Sequence, residues 1–182
     1  MNKFFITLFL FAPVNLNLIF NHQEIKAESA DFYFDRANKK SEKGLPLEAI
    51  ADFTSAIYLD PNLWQAFNNR GLEKMLLENY SDAIKDFSKT IEIKPNYANA
   101  HFYRGWSKDL LGDYQGAIND LNKAIYLDKN KADYHYVLGN AYFKSGYKDA
   151  ACISWNEAGR LSNKIDQEIN ENAKTLFEEL CN

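Results

Sequence analysis

The chain has 182 residues, of which 46% are hydrophobic and 15% aromatic, and it carries a formal net charge of −4. That length and apolar content, without a low-complexity tract, predict one compact domain. The charge pattern excludes nucleic acid as a partner: phosphate neutralisation needs a basic stripe, and the lysines here alternate with acidic residues at helical spacing.

Residues 1–29 obey a rule of their own. Lys3 precedes an apolar run from Phe4 to Phe20, and a polar stretch ending at Ala30 follows it, which is the pattern of a secretory signal peptide. A helix of that length spans about 26 Å of a hydrocarbon core roughly 30 Å thick, and Pro13, Asn15 and Asn17 interrupt it further. Cleavage after Ala27 or Ser29 is therefore expected, with an uncleaved anchor as the alternative. The expected location is extracytoplasmic, a bacterial periplasm or an equivalent lumen, with membrane contact only if the segment is retained.

From Ala30 a 34-residue pattern repeats four times without insertion, as 30–63, 64–97, 98–131 and 132–163. Each copy reads as a helix, a tight turn, a second helix and a connector, and none can bury its apolar face without a stacked neighbour. Gly71, Gly105 and Gly139, with Ala37 in the first copy, mark a close approach of two helices, since glycine inside a helix costs about 1 kcal/mol against alanine. Ala49, Ala83, Ala117 and Ala151 occupy the matching slot of the second helix. Four residues later stand Phe53, Phe87, Leu121 and Trp155, on the same helical face. Pro61 and Pro95 close the second helices; Lys129 and Asn163 replace them in later copies, which predicts softer ends there.

Arg36, Arg70 and Arg104 are each followed, sixteen residues on, by Asp52, Asp86 and Asp120, and in the fourth copy both positions change together, to Leu138 and Ser154. This joint change predicts an ion pair between the two helices of a copy; the alternative is that the arginines hold an anionic ligand. Residues 165–180 put Ile165, Ile169, Ala173, Leu176, Phe177 and Leu180 on one face of an acidic helix, so residues 164–182 read as the cap that a repeat array needs. If that helix runs antiparallel to its predecessor, the only two cysteines, Cys152 and Cys181, come level, as a disulfide or as two buried thiols.

The period, the alternation of small and large residues, and in the last copy His135, Leu138, Gly139 and Tyr142 with Gly146 at the turn, resemble the tetratricopeptide repeat family over residues 30–163. The departures are histidine at 101 and 135, where the family often has tryptophan, and Arg36, Arg70 and Arg104, where it often has leucine. The resemblance implies an all-α, right-handed superhelical solenoid of four helix-turn-helix repeats with a C-terminal capping helix. It also implies that the first helices line a concave face, with their second, fifth, sixth, ninth and twelfth to thirteenth positions turned into the groove. Those positions include Phe34, Asp35, Asn38, Asn68, Asn69, Leu72, Phe102, Tyr103, Trp106, Tyr136, Asn140 and Phe143.

The expected partner-binding residues are Asn38, Asn69, Phe102, Tyr103, Trp106, Tyr136 and Asn140. Tyr103 and Trp106 are the expected anchors, because tyrosine and tryptophan combine contact area with a polar handle. The alternative is that these aromatics pack between helices, Trp106 being adjacent to the close-contact Gly105. Asn38 and Asn69 match the two asparagines with which some family members clamp a terminal carboxylate, but the basic positions of that clamp fall on Phe34, Asn99 and Tyr103.

The expectation is a protein- or peptide-binding adaptor or assembly scaffold, with a membrane-anchored assembly factor or a self-assembling element as alternatives. No catalytic motif, cofactor or small-molecule substrate is expected. His101 and His135, one repeat apart, lack a third ligand and predict packing rather than metal binding.

Overall fold

The computed structural model describes residues 28–162 and 167–181. The signal-peptide reading, Asn163 and the start of the cap lie outside the described residues. The elements in chain order are α1 (Ala30–Glu42), α2 (Pro46–Leu59), α3 (Trp64–Leu76), α4 (Tyr80–Ile93), α5 (Ala98–Leu110), α6 (Tyr114–Leu127), α7 (Ala132–Lys144), α8 (Lys148–Leu161) and α9 (Gln167–Cys181). The first helices of the copies thus begin at Ala30, Trp64, Ala98 and Ala132, where the repeat pattern begins.

Local chemistry sets these boundaries. Pro46 occupies the first turn of α2, where its missing N–H costs nothing. The side chains of Asn79 and Asp113 accept from the backbone N–H of Asp82 and Gly116 at the starts of α4 and α6. The turn inside each copy needs one residue with a left-handed backbone, and that residue recurs as Gly44 (φ 69°), Glu78 (φ 58°), Gly112 (φ 83°) and Gly146 (φ 85°). Glutamate pays a steric cost at that φ that glycine avoids. Glu78→Gly is therefore expected to raise stability by about 0.5–1 kcal/mol in a urea titration, and a lowered midpoint would contradict the assignment of strain to this turn.

The second helices end at one repeat position, at Leu59, Ile93 and Leu127. Lys129 in place of proline does not soften the third boundary. There Asp128 Oδ1 accepts from the Asn130 N–H at 3.2 Å, as Asp60 Oδ1 accepts from the Asn62 N–H at 2.9 Å, so an aspartate-capped turn stops the helix with or without the ring.

Each helix packs on its neighbours in chain order, and successive first helices also touch, α3 on α5 and α5 on α7. No contact of comparable extent joins successive second helices among the described residues. The first helices therefore stand on the inner side of the curve. Ala49, Ala83, Ala117 and Ala151 are fully buried, as are Phe53, Phe87 and Leu121, with Trp155 1% exposed. A methyl group added at Gly139 would lie 2.5 Å from the Trp155 ring, and one at Gly71 2.8 Å from Phe87. The glycines are the seats on which the large residues rest.

The arginines pair as their repetition predicts. Arg36 donates through Nε and Nη2 to Asp52 at 2.7 Å each. Arg70 does the same to Asp86 at 2.9 and 2.6 Å, and Arg104 to Asp120 at 2.8 and 2.6 Å. The Arg36 guanidinium holds the Asp52 carboxyl below its ordinary range. Burial would raise the Asp120 carboxyl, but the nearby His101 ring and the hydrogen bonds from Arg104 and Lys108 outweigh it and hold that group well below the usual carboxylate range.

Two further features of this pairing emerge only in the folded structure. Lys40, Lys74 and Lys108 reach the same aspartates at 2.9, 2.7 and 2.8 Å. Arg70 and Arg104 also reach back to the preceding copy, donating to Thr54 Oγ1 at 3.0 Å and Ser88 Oγ at 3.2 Å. In the fourth copy the whole set becomes apolar or neutral, with Leu138 5% exposed, Tyr142 in the lysine slot, and Ser154 bonded to its own helix through the Ala150 carbonyl. Such pairs fix register more reliably than they add net stability, since desolvation offsets the attraction.

The C-terminal helix α9 lies on α8 and touches α7. Ala173 is fully buried, with Leu176, Phe177 and Leu180 around Trp155 and Ala158. This is the capping arrangement that its apolar face predicts. It brings Cys152 and Cys181 level, their Cα atoms 5.7 Å apart and their sulfurs at bonding distance, within the span of a disulfide.

Candidate partner-binding groove

The inner side is not uniform along its length. In the N-terminal half the asparagines bond one another: Asn69 Nδ2 donates to Asn38 Oδ1 at 3.0 Å, and Asn68 Nδ2 donates to Asn69 Oδ1 at 3.1 Å. This ladder ties α3 to α1 and engages part of the polar capacity of Asn38 and Asn69.

The C-terminal half holds a concavity of about 540 Å³ between α5 and α7. Five of the seven expected residues meet in it, namely Phe102, Tyr103, Trp106, Tyr136 and Asn140. Asn38 and Asn69 do not line it. Phe102 forms the floor, 3% exposed, with its ring 4.6 Å from that of Tyr134 and 5.7 Å from that of Trp106. Position five of this helix thus faces the next helix, as in the alternative that the aromatics pack between helices, while Phe102 still lines the concavity.

Tyr103 is half-buried and stacks on Phe87 at 5.7 Å. Burial first, and then the charge of Asp133, raise its phenol, which therefore stays neutral and able to donate. Trp106 is 38% exposed and presents the largest open aromatic surface of the concavity. Tyr136 is half-buried and joins the middle and C-terminal core clusters. Asn140 is partly committed, because its Oδ1 accepts from Trp155 Nε1 at 3.0 Å.

Several lining residues were not named from the sequence: Asp109, Leu110, Asp133, Val137, Lys144 and Asn172. Asp109 and Lys144 stand at the twelfth and thirteenth positions of their copies, so the family pattern already pointed at them. Lys144 Nζ donates to Asp109 Oδ2 at 2.7 Å, bridging α7 to α5. Asn172 comes from α9, so the cap also closes one end of the groove.

The histidines serve connectors. Nitrogen Nε2 of His101 lies 2.9 Å from the Pro95 carbonyl and that of His135 3.3 Å from the Lys129 carbonyl, each six residues upstream. Among the described residues no cluster of three metal-ligating side chains occurs, and no helix is long and apolar enough to cross a membrane.

Stacked two-helix units with small-on-large contacts, an inner layer of first helices and a polar cap define an α-solenoid of helical repeats. The tetratricopeptide repeat pattern matches residues 64–97, and a related tetratricopeptide (TPR) repeat pattern matches residues 110–146. These two stretches are tetratricopeptide repeats, and the first copy and the remainder of the array share their period and their small-on-large packing. Comparison with curated protein sequences gives no match.

Among solved structures, the crystal structure of MamA protein superposes with a TM-score of 0.70 at 24% identity, covering 83% of this chain and 89% of that one. MamA 41-end from Desulfovibrio magneticus RS-1 gives 0.71 at 18% identity, covering 84% and 93%. The first TPR of Spaghetti (RPAP3), solved bound to the HSP90 peptide SRMEEVD, gives 0.64 at 21% identity, covering 65% and 94%. At these identities the likeness is one of fold. Proteins of this architecture are protein-interaction scaffolds.

Proposed function

We propose that this protein is an adaptor or assembly scaffold that holds a peptide segment of a partner protein on its concave face, in the groove between α5 and α7. The observation that carries this reading is the open aromatic surface of Trp106, 38% exposed, above a floor of buried Phe102 and flanked by Tyr136 and Asn140. Aromatic side chains held rigidly at the edge of a concavity are the residues that most often dominate protein-binding energy. Support by analogy comes from the RPAP3 domain, a similar fold solved with a peptide bound.

In this reading residues 1–29 export the chain, and Cys152 and Cys181 form a disulfide in an oxidising compartment. The work is recognition rather than chemistry.

The test is a crosslinked pulldown from the exported fraction with the full chain and with Trp106→Ala. A partner captured by the native chain and lost at least tenfold in the variant is the expected result, a loss typical of a central aromatic contact. Equal capture by both would move the binding surface off this groove, and a mass that grows with concentration in sedimentation would favour self-assembly instead.

A further inference from the structure

The groove has a charge as well as a shape. At the inward positions of the four first helices stand Asp31, Asp35, Glu42, Asp109 and Asp133, against a single base, Lys144. That base is engaged, its Nζ 2.7 Å from Asp109 Oδ2. The other oxygen of Asp109 is buried and has no hydrogen-bond partner, in a residue 5% exposed. A buried carboxylate oxygen without a donor is costly and attracts one.

The donor geometry is suggested by the chain itself. Elsewhere on this molecule cations lie over aromatic faces, with Lys94 Nζ 4.0 Å from the Trp64 ring centroid and the Arg36 guanidinium 4.8 Å from that of Tyr33. The groove brings together the same two groups, the aromatic rings of Trp106 and Tyr136 and the carboxylates of Asp109 and Asp133 on α5 and α7.

Resting on the reading of this groove as the partner site, we infer that its occupant is a basic segment. An arginine or lysine side chain of the partner lies across Trp106 and Tyr136 and pairs with Asp109 and Asp133. Lys144 is a placeholder in this arrangement. Its side chain is 40% exposed, so it can swing into solvent as the partner's cation takes its place at Asp109. A segment ending in acidic residues is repelled by the same carboxylates, which is consistent with the missing basic positions of the carboxylate clamp.

The prediction has two signs. Asp109→Asn with Asp133→Asn keeps the shape and removes the charge, and should weaken basic ligands by about tenfold. Lys144→Met removes the internal competitor and should strengthen them by about threefold. A role confined to folding would not move affinity in opposite directions.

The probe is a displayed random-peptide library selected on the full chain, with Trp106→Ala, the double asparagine variant and Lys144→Met as counter-targets and circular dichroism as the check on folding. Enrichment of arginine- or lysine-bearing peptides, lost with the asparagines and improved with Lys144→Met, is the expected result. Enrichment of neutral or acidic peptides that still need Trp106 would overturn the basic-segment inference and leave the groove reading intact. Enrichment indifferent to Trp106, or none at all, would overturn both.

Discussion

Replacing Trp155 with alanine is expected to cost about 3–5 kcal/mol, the range for removing a buried aromatic. The ring is 1% exposed, rests on Gly139 and lies 5.6 Å from the ring of Phe143. It packs with Ala151, Ala158 and Ala173, so it serves both the fourth repeat and the cap. The bond from its Nε1 to Asn140 Oδ1 adds little to the loss, because half-exposed Asn140 can turn to water. Urea unfolding measures the change. A loss below about 1 kcal/mol would show that the cavity collapses freely, and that the small seat beneath the ring is not a fixed surface. The same geometry makes Gly139→Ala harmful in the native background and much less so once Trp155 is alanine, because the two positions share one space.

Reduction of the proposed Cys152–Cys181 bridge is the second large effect. The sequence separation is 29 residues, for which chain entropy gives about 3–4 kcal/mol. The loss should be local. In a linear array each unit contacts only its neighbours, so reductant is expected to speed amide exchange in α9 and the end of α8 while α1–α4 keep their protection. Two reactive thiols in oxidised, denatured protein would show that the bond does not form, and an exchange pattern unmoved by reductant would show that apolar packing alone holds the cap.

The architecture was legible because the chain carries its own alignment. Gly71, Gly105 and Gly139 could be matched with Phe87, Leu121 and Trp155 only because the same pairing recurs at a fixed period. The joint loss of Arg and Asp in the fourth copy marks the two positions as a pair. Lys40, Lys74 and Lys108 follow the same period and vanish in the same copy, yet a lysine on a helix ordinarily reads as part of a solvated face, so the sequence alone does not assign them to the pair.

The groove was less legible for a different reason. Helical position tells which way Phe102 or Asn140 points, but not how closely the next helix rises over it or which neighbour consumes its hydrogen bonds. Burial of Phe102 depends on Tyr134, one repeat on, and the engagement of Asn140 depends on Trp155 in the paired helix. Asn172 joins the groove only because α9 turns back across the end of the array, a placement that no repeat period encodes.

Closed as a disulfide, the pair of Cys152 and Cys181 gives the array a direction. A stack of like units ordinarily frays from either end, since each terminal unit has one neighbour instead of two. In the proposed disulfide the last helix is fastened to the one before it, while α1 is held by its contacts with α2 and α3, including the Asn38–Asn69 bond. With that bond closed, unravelling under a protease or a pulling force starts from α1 rather than from α9, and the aromatic groove, set in the later repeats, keeps its shape longest.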